Sequence, residues 1–460
     1  MVATRNWILS KAIIAGVILG TGTLQVLSDE VPQALQWDPW VSFAVSSRDL
    51  NHRPGNSSLN EDNAYIQLRL AATGSVFQRA DFSWKVDTRT YLSSSNVVLF
   101  DDDTDTVREP NSDNNYYFQL REAWIRYHGL TSLPGEHLTL GLQRLRNGDG
   151  LWWDVDIESL TWQGDTTQLD WLLAVGEEFD TYRTNSDLIT RADNTLRWFG
   201  NIAWDWTAYH NIGASFMQSK QDLKDLSQAR QDTSIGANAD SLWFGIKVSS
   251  GWDQRNPYRT FAYKAEWIMQ QGESVQPFDG NMLTYRDISA QALDFGLRID
   301  LERMSLGAMY TRASGGESAE ESERFSQTGV HTNRTRAFGN RQYLFRFNEA
   351  FRADISNLTY HGLFATWNPD PKWESVLLLG HYQKTDNASP VYVGGREIDV
   401  IDGQSNVGKS VDINVTFYPE DGWFLNLNVL RLRAGFFDPG TGLTNQNNDY
   451  RITLESQFRY

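Results

Sequence analysis

The chain closes on RITLESQFRY (451–460), ten residues that separate by parity. With the tyrosine before them, one set is Tyr450, Ile452, Leu454, Ser456, Phe458 and Tyr460; the other is Arg451, Thr453, Glu455, Gln457 and Arg459. Successive side chains of a strand point to opposite faces, so the segment predicts a strand with one face fit for lipid and one fit for water.

The same period recurs upstream. Ala64, Ile66, Leu68 and Leu70 alternate with Tyr65, Gln67 and Arg69, and Phe82, Trp84 and Val86 with Ser83, Lys85, Asp87 and Arg89. Leu293, Phe295, Leu297 and Ile299 oppose Asp294, Gly296, Arg298 and Asp300; Val411, Ile413, Val415 and Phe417 oppose Asp412, Asn414 and Thr416. Period-two alternation repeated this often predicts antiparallel strands with a polar side. The aromatic that ends the last strand resembles the signature of proteins inserted by the outer-membrane assembly machinery.

Composition points the same way. Aromatic residues are 13% of the chain although mean hydropathy is −0.49, which suits aromatic girdles at two interfaces around a wet lumen. There is no cysteine, so neither disulfides nor thiolate metal sites hold the fold. Residues 1–28 read as a secretory signal, with Arg5 and Lys11 ahead of or beside an apolar run at 12–19 and a small-residue cleavage site before Asp29. An N-terminal anchor is the alternative, disfavoured by so short a core. Without that segment the net charge moves from −17 to −19, since it carries two cations and no acid. No other window approaches the roughly 18 apolar residues of a spanning helix, which excludes a helical membrane bundle.

Short turn signals at 133–136, 164–165, 368–371 and 419–422 alternate with long polar stretches near 93–115, 219–239, 313–340 and 384–409. Short periplasmic turns and long extracellular loops are the asymmetry of an outer-membrane barrel. No linker or composition step divides 29–460. The expected fold is therefore one all-β domain, a transmembrane antiparallel β-barrel of sixteen to eighteen strands, about 18 in the fuller reading, wide enough to leave an aqueous channel. The acidic run Asp101, Asp102, Asp103 and Asp105 is read as a solvated loop in preference to a cation site.

Enzyme signatures are missing: there is no GxSxG, HExxH or phosphate loop, and the seven histidines have no ligand spacing. Asp154 and Asp156 stand on one face of a strand, side by side, where a glycosidase needs its two acids across a substrate. The expectation is a protein that is not an enzyme and uses no cofactor, metal or nucleic acid. The informative residues are cations at inward parity: Arg69, Lys85, Arg89, Lys247, Lys264, Arg298 and Arg459. Singly each is an ordinary lumen charge; converging at one height they would form an anion-selective constriction.

Two segments break the alternation. In YFQLREAWIRY (117–127) the apolar set shifts from Phe118 and Leu120 to Ala123, Ile125 and Tyr127, which predicts a β-bulge near Arg121 and Glu122 that turns both toward the lumen. The parity of Leu138, Leu140 and Leu142 would send Arg144 into lipid, so a second bulge, or exit from the hydrocarbon zone at Gln143, is required. After the turn at 147–150, Trp153, Val155 and Ile157 are expected outward, with the tryptophans at the membrane interface, and Asp154, Asp156 and Glu158 inward. Arg121, Arg144, Glu122 and Asp154 would then hold one another by ion pairing.

LREAWIRYHGL (120–130), LTLGLQRLRNGDGLWWDVDIESLTW (138–162) and RQYLFRFNEAFRADISNLTYHG (341–362) resemble the alginate export family of outer-membrane porins. The resemblance implies an eighteen-stranded barrel in the outer membrane whose electropositive constriction passes an acidic uronate polymer. Matched by motif, it implies substrate-path roles for Arg69, Arg121, Glu122, Arg144 and Asp154, and for Arg352 and Arg433 through the stretches EAFR and RLRAG. The expected partners are an anionic polysaccharide, outer-membrane lipid and lipopolysaccharide, and periplasmic export components. A general anion or sugar porin is the alternative within transport, and a glycosidase or adhesin the alternative outside it.

Overall fold

The computed structural model describes residues 35–460 except 53–58, 76–80, 95–107, 111–114, 134, 189–194, 208, 222–238, 253–259, 279–281, 319–320 and 421–424. The secretory-signal reading of 1–28 and the acidic run at 101–105 lie outside the described residues. Eighteen strands form the wall: β1 Gln36–Leu50, β2 Leu59–Ser75, β3 Phe82–Ser93, β4 Tyr116–Tyr127, β5 His137–Arg146, β6 Asp154–Asp165, β7 Leu169–Glu177, β8 Thr195–Thr207, β9 His210–Gln221, β10 Ala239–Ser250, β11 Phe261–Phe278, β12 Met282–Asp300, β13 Met304–Ala313, β14 Leu358–Trp367, β15 Trp373–Lys384, β16 Asn406–Phe417, β17 Leu427–Pro439 and β18 Asp449–Arg459. Each pairs antiparallel with the next, and β1 pairs with β18 with Val41 opposite Phe458, so the sheet closes and leaves no edge. No helix occurs among the described residues.

The alternation read from the sequence is the alternation of the wall. Leu293, Phe295 and Ile299 are exposed on the lipid side while Asp294, Arg298 and Asp300 are buried within; Ile452 and Leu454 are exposed while Arg451 and Thr453 are not. The predicted bulge is present: pairing of β3 with β4 steps from Asp87 opposite Glu122 to Thr88 opposite Leu120, leaving Arg121 as the extra residue. The start of β1, the end of β18 and the short turns share one rim, and the long connections share the other.

One expectation is overturned. Trp152 and Trp153 do not reach the membrane interface, and Val155 and Ile157 do not face lipid. Both indoles are 1% exposed and Ile157 is 0% exposed, in a core with Phe199, Met217 and Trp243, which lie at inward parity on β8 to β10. The indole of Trp152 donates to Glu266 on β11 at 2.7 Å. The upper part of the β5–β6 hairpin therefore leans into the barrel, its apolar face against the inner wall. Pairing of β4 with β5 ends at Ala123 opposite Leu142. At the departure point Gly141 has φ +127°, and a Cβ there would lie 2.4 Å from the Ala123 carbonyl oxygen, so only glycine fits. Residues 182–184 take over the vacated edge: Leu120 donates to the Tyr182 carbonyl at 3.0 Å and Thr184 to that of Phe118 at 3.0 Å.

The connection 314–357 also turns inward. Phe325, Val330, Phe338, Phe347 and Phe351 are buried in the same core, and Arg341, farthest along, reaches the turn-side rim, where it donates to the Pro371 carbonyl at 2.6 Å. A loop this aromatic cannot remain solvated, and the polar inner wall offers it both apolar cover and hydrogen-bond partners.

Candidate channel lining

The inward faces carry dense charge, and the interior divides into a packed and an open part. In the packed part, Lys264 on β11 is 1% exposed and its ammonium contacts Asp149 at the tip of the β5–β6 hairpin, Glu266 at 2.7 Å and Asp294 at 2.9 Å. Arg346 of the inner loop pairs with Asp294. The carboxylates of Asp149, Glu266 and Asp294 lie close enough together to hold a metal ion, but the Lys264 ammonium already bonds all three. Burial alone would raise the Asp149 carboxyl; Lys264, Lys247 and Arg346 together hold it well below the usual carboxylate range. Close by, Arg298 is held by Asp300 at 2.8 Å and by the carbonyls of Trp252 and Ala337. These groups latch the inner segments to the wall.

The second, more open part lies on β1 to β5 and on β17 and β18, where cations that keep some of their side chain accessible stand among buried ones. Arg69 pairs with Asp87 across β2 and β3 and keeps 26% of its side chain accessible. Lys85 pairs with Glu122 at 2.6 Å, and Glu122 also accepts from the Trp124 indole at 2.9 Å. Arg144 donates to Asp154 at 2.7 Å and remains 25% accessible. Asp154 is shared with Arg146 at 3.4 Å and accepts from Thr332 of the inner loop at 2.9 Å. Arg121 pairs with Asp156 at 3.1 Å. Of the ion pairs expected from the sequence, Arg144 with Asp154 is present, whereas Arg121 takes Asp156 and Glu122 takes Lys85: the inward lean of β6 brings Asp156 over the bulge.

Arg433 on β17 is buried and lies 3.7 Å from Glu349 and 3.9 Å from Glu455. Arg352 belongs to the inner loop; it lies 3.6 Å from the same Glu349 and covers the Phe345 ring at 3.9 Å. Glu349 thus joins the two arginines, and Arg431, 3.6 Å from Glu455, extends the series.

Sequence reasoning passed over a second set. Arg146 lies 3.3 Å and Arg336 4.2 Å from the ring centre of Tyr343, and Arg334 4.7 Å from that of Phe345. With Arg144 and Arg352 these make an arginine and aromatic array over the open space. Alternation gives no reading inside a loop, but the signal was present as composition: residues 334–352 hold five arginines interleaved with five aromatic rings. Stacking on a ring or pairing with a carboxylate fixes each guanidinium in place.

Comparison with known proteins agrees with this architecture. The alginate export family matches residues 40–454. The alginate production protein AlgE of Pseudomonas aeruginosa is 30% identical, over 92% of this chain and 91% of that protein. AlgE of Azotobacter vinelandii is 28% identical, over 90% of each. Among solved structures, the outer membrane protein OpdK of Pseudomonas aeruginosa, in its vanillate complex, superposes with a TM-score of 0.57 at 10% identity, over 93% of this chain and 98% of that one. OccK3 (OpdO) of the same organism gives 0.54 at 12% identity, over 92% and 96%. Those likenesses concern the fold. With a family match that spans nearly the whole barrel, the chain is an outer-membrane β-barrel that belongs to the alginate export family.

Proposed function

We propose that this barrel passes an anionic polysaccharide, an alginate-like uronate polymer, by electrostatic guidance along lumen arginines. The observation that carries the reading is the array of Arg144, Arg146, Arg334, Arg336 and Arg352, held by Tyr343, Phe345 and Asp154, together with a partly accessible Arg69 on β2. The names of the AlgE relatives support the substrate class. A polyanion must be held weakly at many sites and released from each one; guanidinium groups already shared with carboxylates or rings offer that intermediate strength. In a narrow space with low-dielectric walls, fixed cations concentrate anions and exclude cations. The reading requires no covalent step.

The test is single-channel conductance of the refolded protein in a planar bilayer. Anion-selective current, blocked by oligouronates and less so after Arg121→Ala and Arg144→Ala, is expected. Current indifferent to oligouronates and to both arginines would overturn the reading. Block by neutral oligosaccharides of equal strength would point to a general sugar porin.

A further inference from the structure

The outer face of the barrel carries a feature that neither its closure nor its lumen requires. Tyr310 on β13 stands opposite His361 on β14, His361 opposite His381 on β15, and His381 opposite Lys409 on β16. All four are at outward parity: their neighbours Thr311, Tyr360, Tyr382 and Ser410 are buried within, and His361 and Lys409 are exposed. The rings meet, with Tyr310 and His361 5.1 Å apart and His361 and His381 6.2 Å apart. Arg312, also outward and exposed, stands one step nearer the long-loop rim. Two residues toward the barrel's middle on the same strands are the exposed Leu363, Leu379 and Val411. The row therefore sits where the apolar belt ends, at headgroup height of the leaflet on the long-loop side.

An ordinary polar rim does not account for its sign. At the corresponding end of β1 and β2 the outward residues are Ser47 and Asp49 opposite Asp62 and Asn60, neutral or acidic. On β13 to β16 the row is cationic or a hydrogen-bond donor across its whole width, about 14 Å for three interstrand steps. Neither Arg312 nor Lys409 has an ion-pair partner among the described residues; Asp438, opposite Lys409 on β17, closes the row at its far end. A fixed cation at a membrane interface is stabilised by an anionic headgroup, and phosphate accepts charge-assisted hydrogen bonds from ammonium, guanidinium and imidazole groups alike.

We propose that Tyr310, His361, His381 and Lys409, with Arg312 above them, form a docking surface for the phosphorylated headgroup of an outer-leaflet glycolipid, its acyl chains lying on Leu363, Leu379 and Val411. Arg312 and Lys409 supply the charge, the histidines and the tyrosine hydroxyl supply donors between them, and the lumen takes no part.

The experiment is native mass spectrometry of the full barrel in non-ionic detergent, titrated with diphosphoryl lipid A and with its dephosphorylated form. The expected result is one diphosphoryl lipid retained per barrel, the dephosphorylated form not retained, and affinity lowered roughly tenfold in the double variant Arg312→Gln, Lys409→Gln. Lys409→Arg should keep the lipid, as should Lys220→Gln, which removes an outward lysine on distant β9. Unheated gel mobility confirms that each variant is a folded barrel. Equal retention by the double variant, equal retention of the dephosphorylated lipid, or displacement by soluble oligouronate would each overturn the assignment.

Discussion

The two parts of the lumen hold the same residue types to opposite ends. Around Lys264, three carboxylates and Arg346 close on one another with every member almost fully buried, and the β5–β6 hairpin tip and the 314–357 loop are tied down by that closure. Arg69 and Arg144 pair with Asp87 and Asp154 and each keeps about a quarter of its side chain accessible. A lumen arginine or lysine is thus not informative by type. What separates a latch from a channel lining is whether a second layer of chain lies over it, since desolvation turns a weak surface pair into a costly and inflexible one.

The contrast breaks most readily at the latch. Lys264→Met leaves Asp149, Glu266 and Asp294 buried without their shared ammonium, and should cost about 3–5 kcal/mol, measured by denaturant unfolding of the refolded barrel; a change under about 1 kcal/mol would mean that water reaches the cluster. The same variant should make the single-channel current noisier as the inner segments loosen. Acid probes the latch without mutation. Because the Asp149 carboxyl is held below its ordinary value of 3.8, its contribution is complete above that value and is lost as pH falls below it. Melting followed from pH 6 to pH 2 should show this loss in the wild type and a smaller one in Asp149→Asn.

The open part should answer first in selectivity. Arg69→Ala with Arg146→Ala should lower the anion-to-cation permeability ratio severalfold, read from reversal potentials in a salt gradient, with some loss of stability as well, because Asp87 and Asp154, 1% and 0% accessible, each lose a cation. A large loss of stability with unchanged selectivity would reverse the assignment of the two parts. The smallest effect is expected at the turn-side rim, where Lys372 and Glu420 pair in full solvent: Lys372→Ala should leave both melting and current as in the wild type.

Much of this was legible in the chain. The alternation at 64–70, 82–89, 293–300 and 450–460, the turn spacing and the bulge at Arg121 all match the wall, because a strand between lipid and water has only one acceptable parity. The ion pair of Arg144 with Asp154 was legible too, since both residues flank one turn. Trp152, Trp153, Val155 and Ile157 were misread for a definite reason. Alternation reports that a strand has an apolar face, and the inner wall of a barrel lined by Phe199 and Met217 accepts that face as well as lipid does. The partners of Arg121 and Glu122 followed the same error, since they depend on where β6 leans.

The sequence by itself therefore determined the barrel, its sidedness and the polarity of its lumen, all consequences of a two-residue period against two solvents. Tertiary structure alone decided which charges are latched and which line the open space. That choice depends on the path of the β5–β6 hairpin and of the 314–357 loop through the interior, which is set by contacts such as Trp152 with Glu266 and Arg346 with Asp294, more than fifty residues apart in sequence, that no local period encodes.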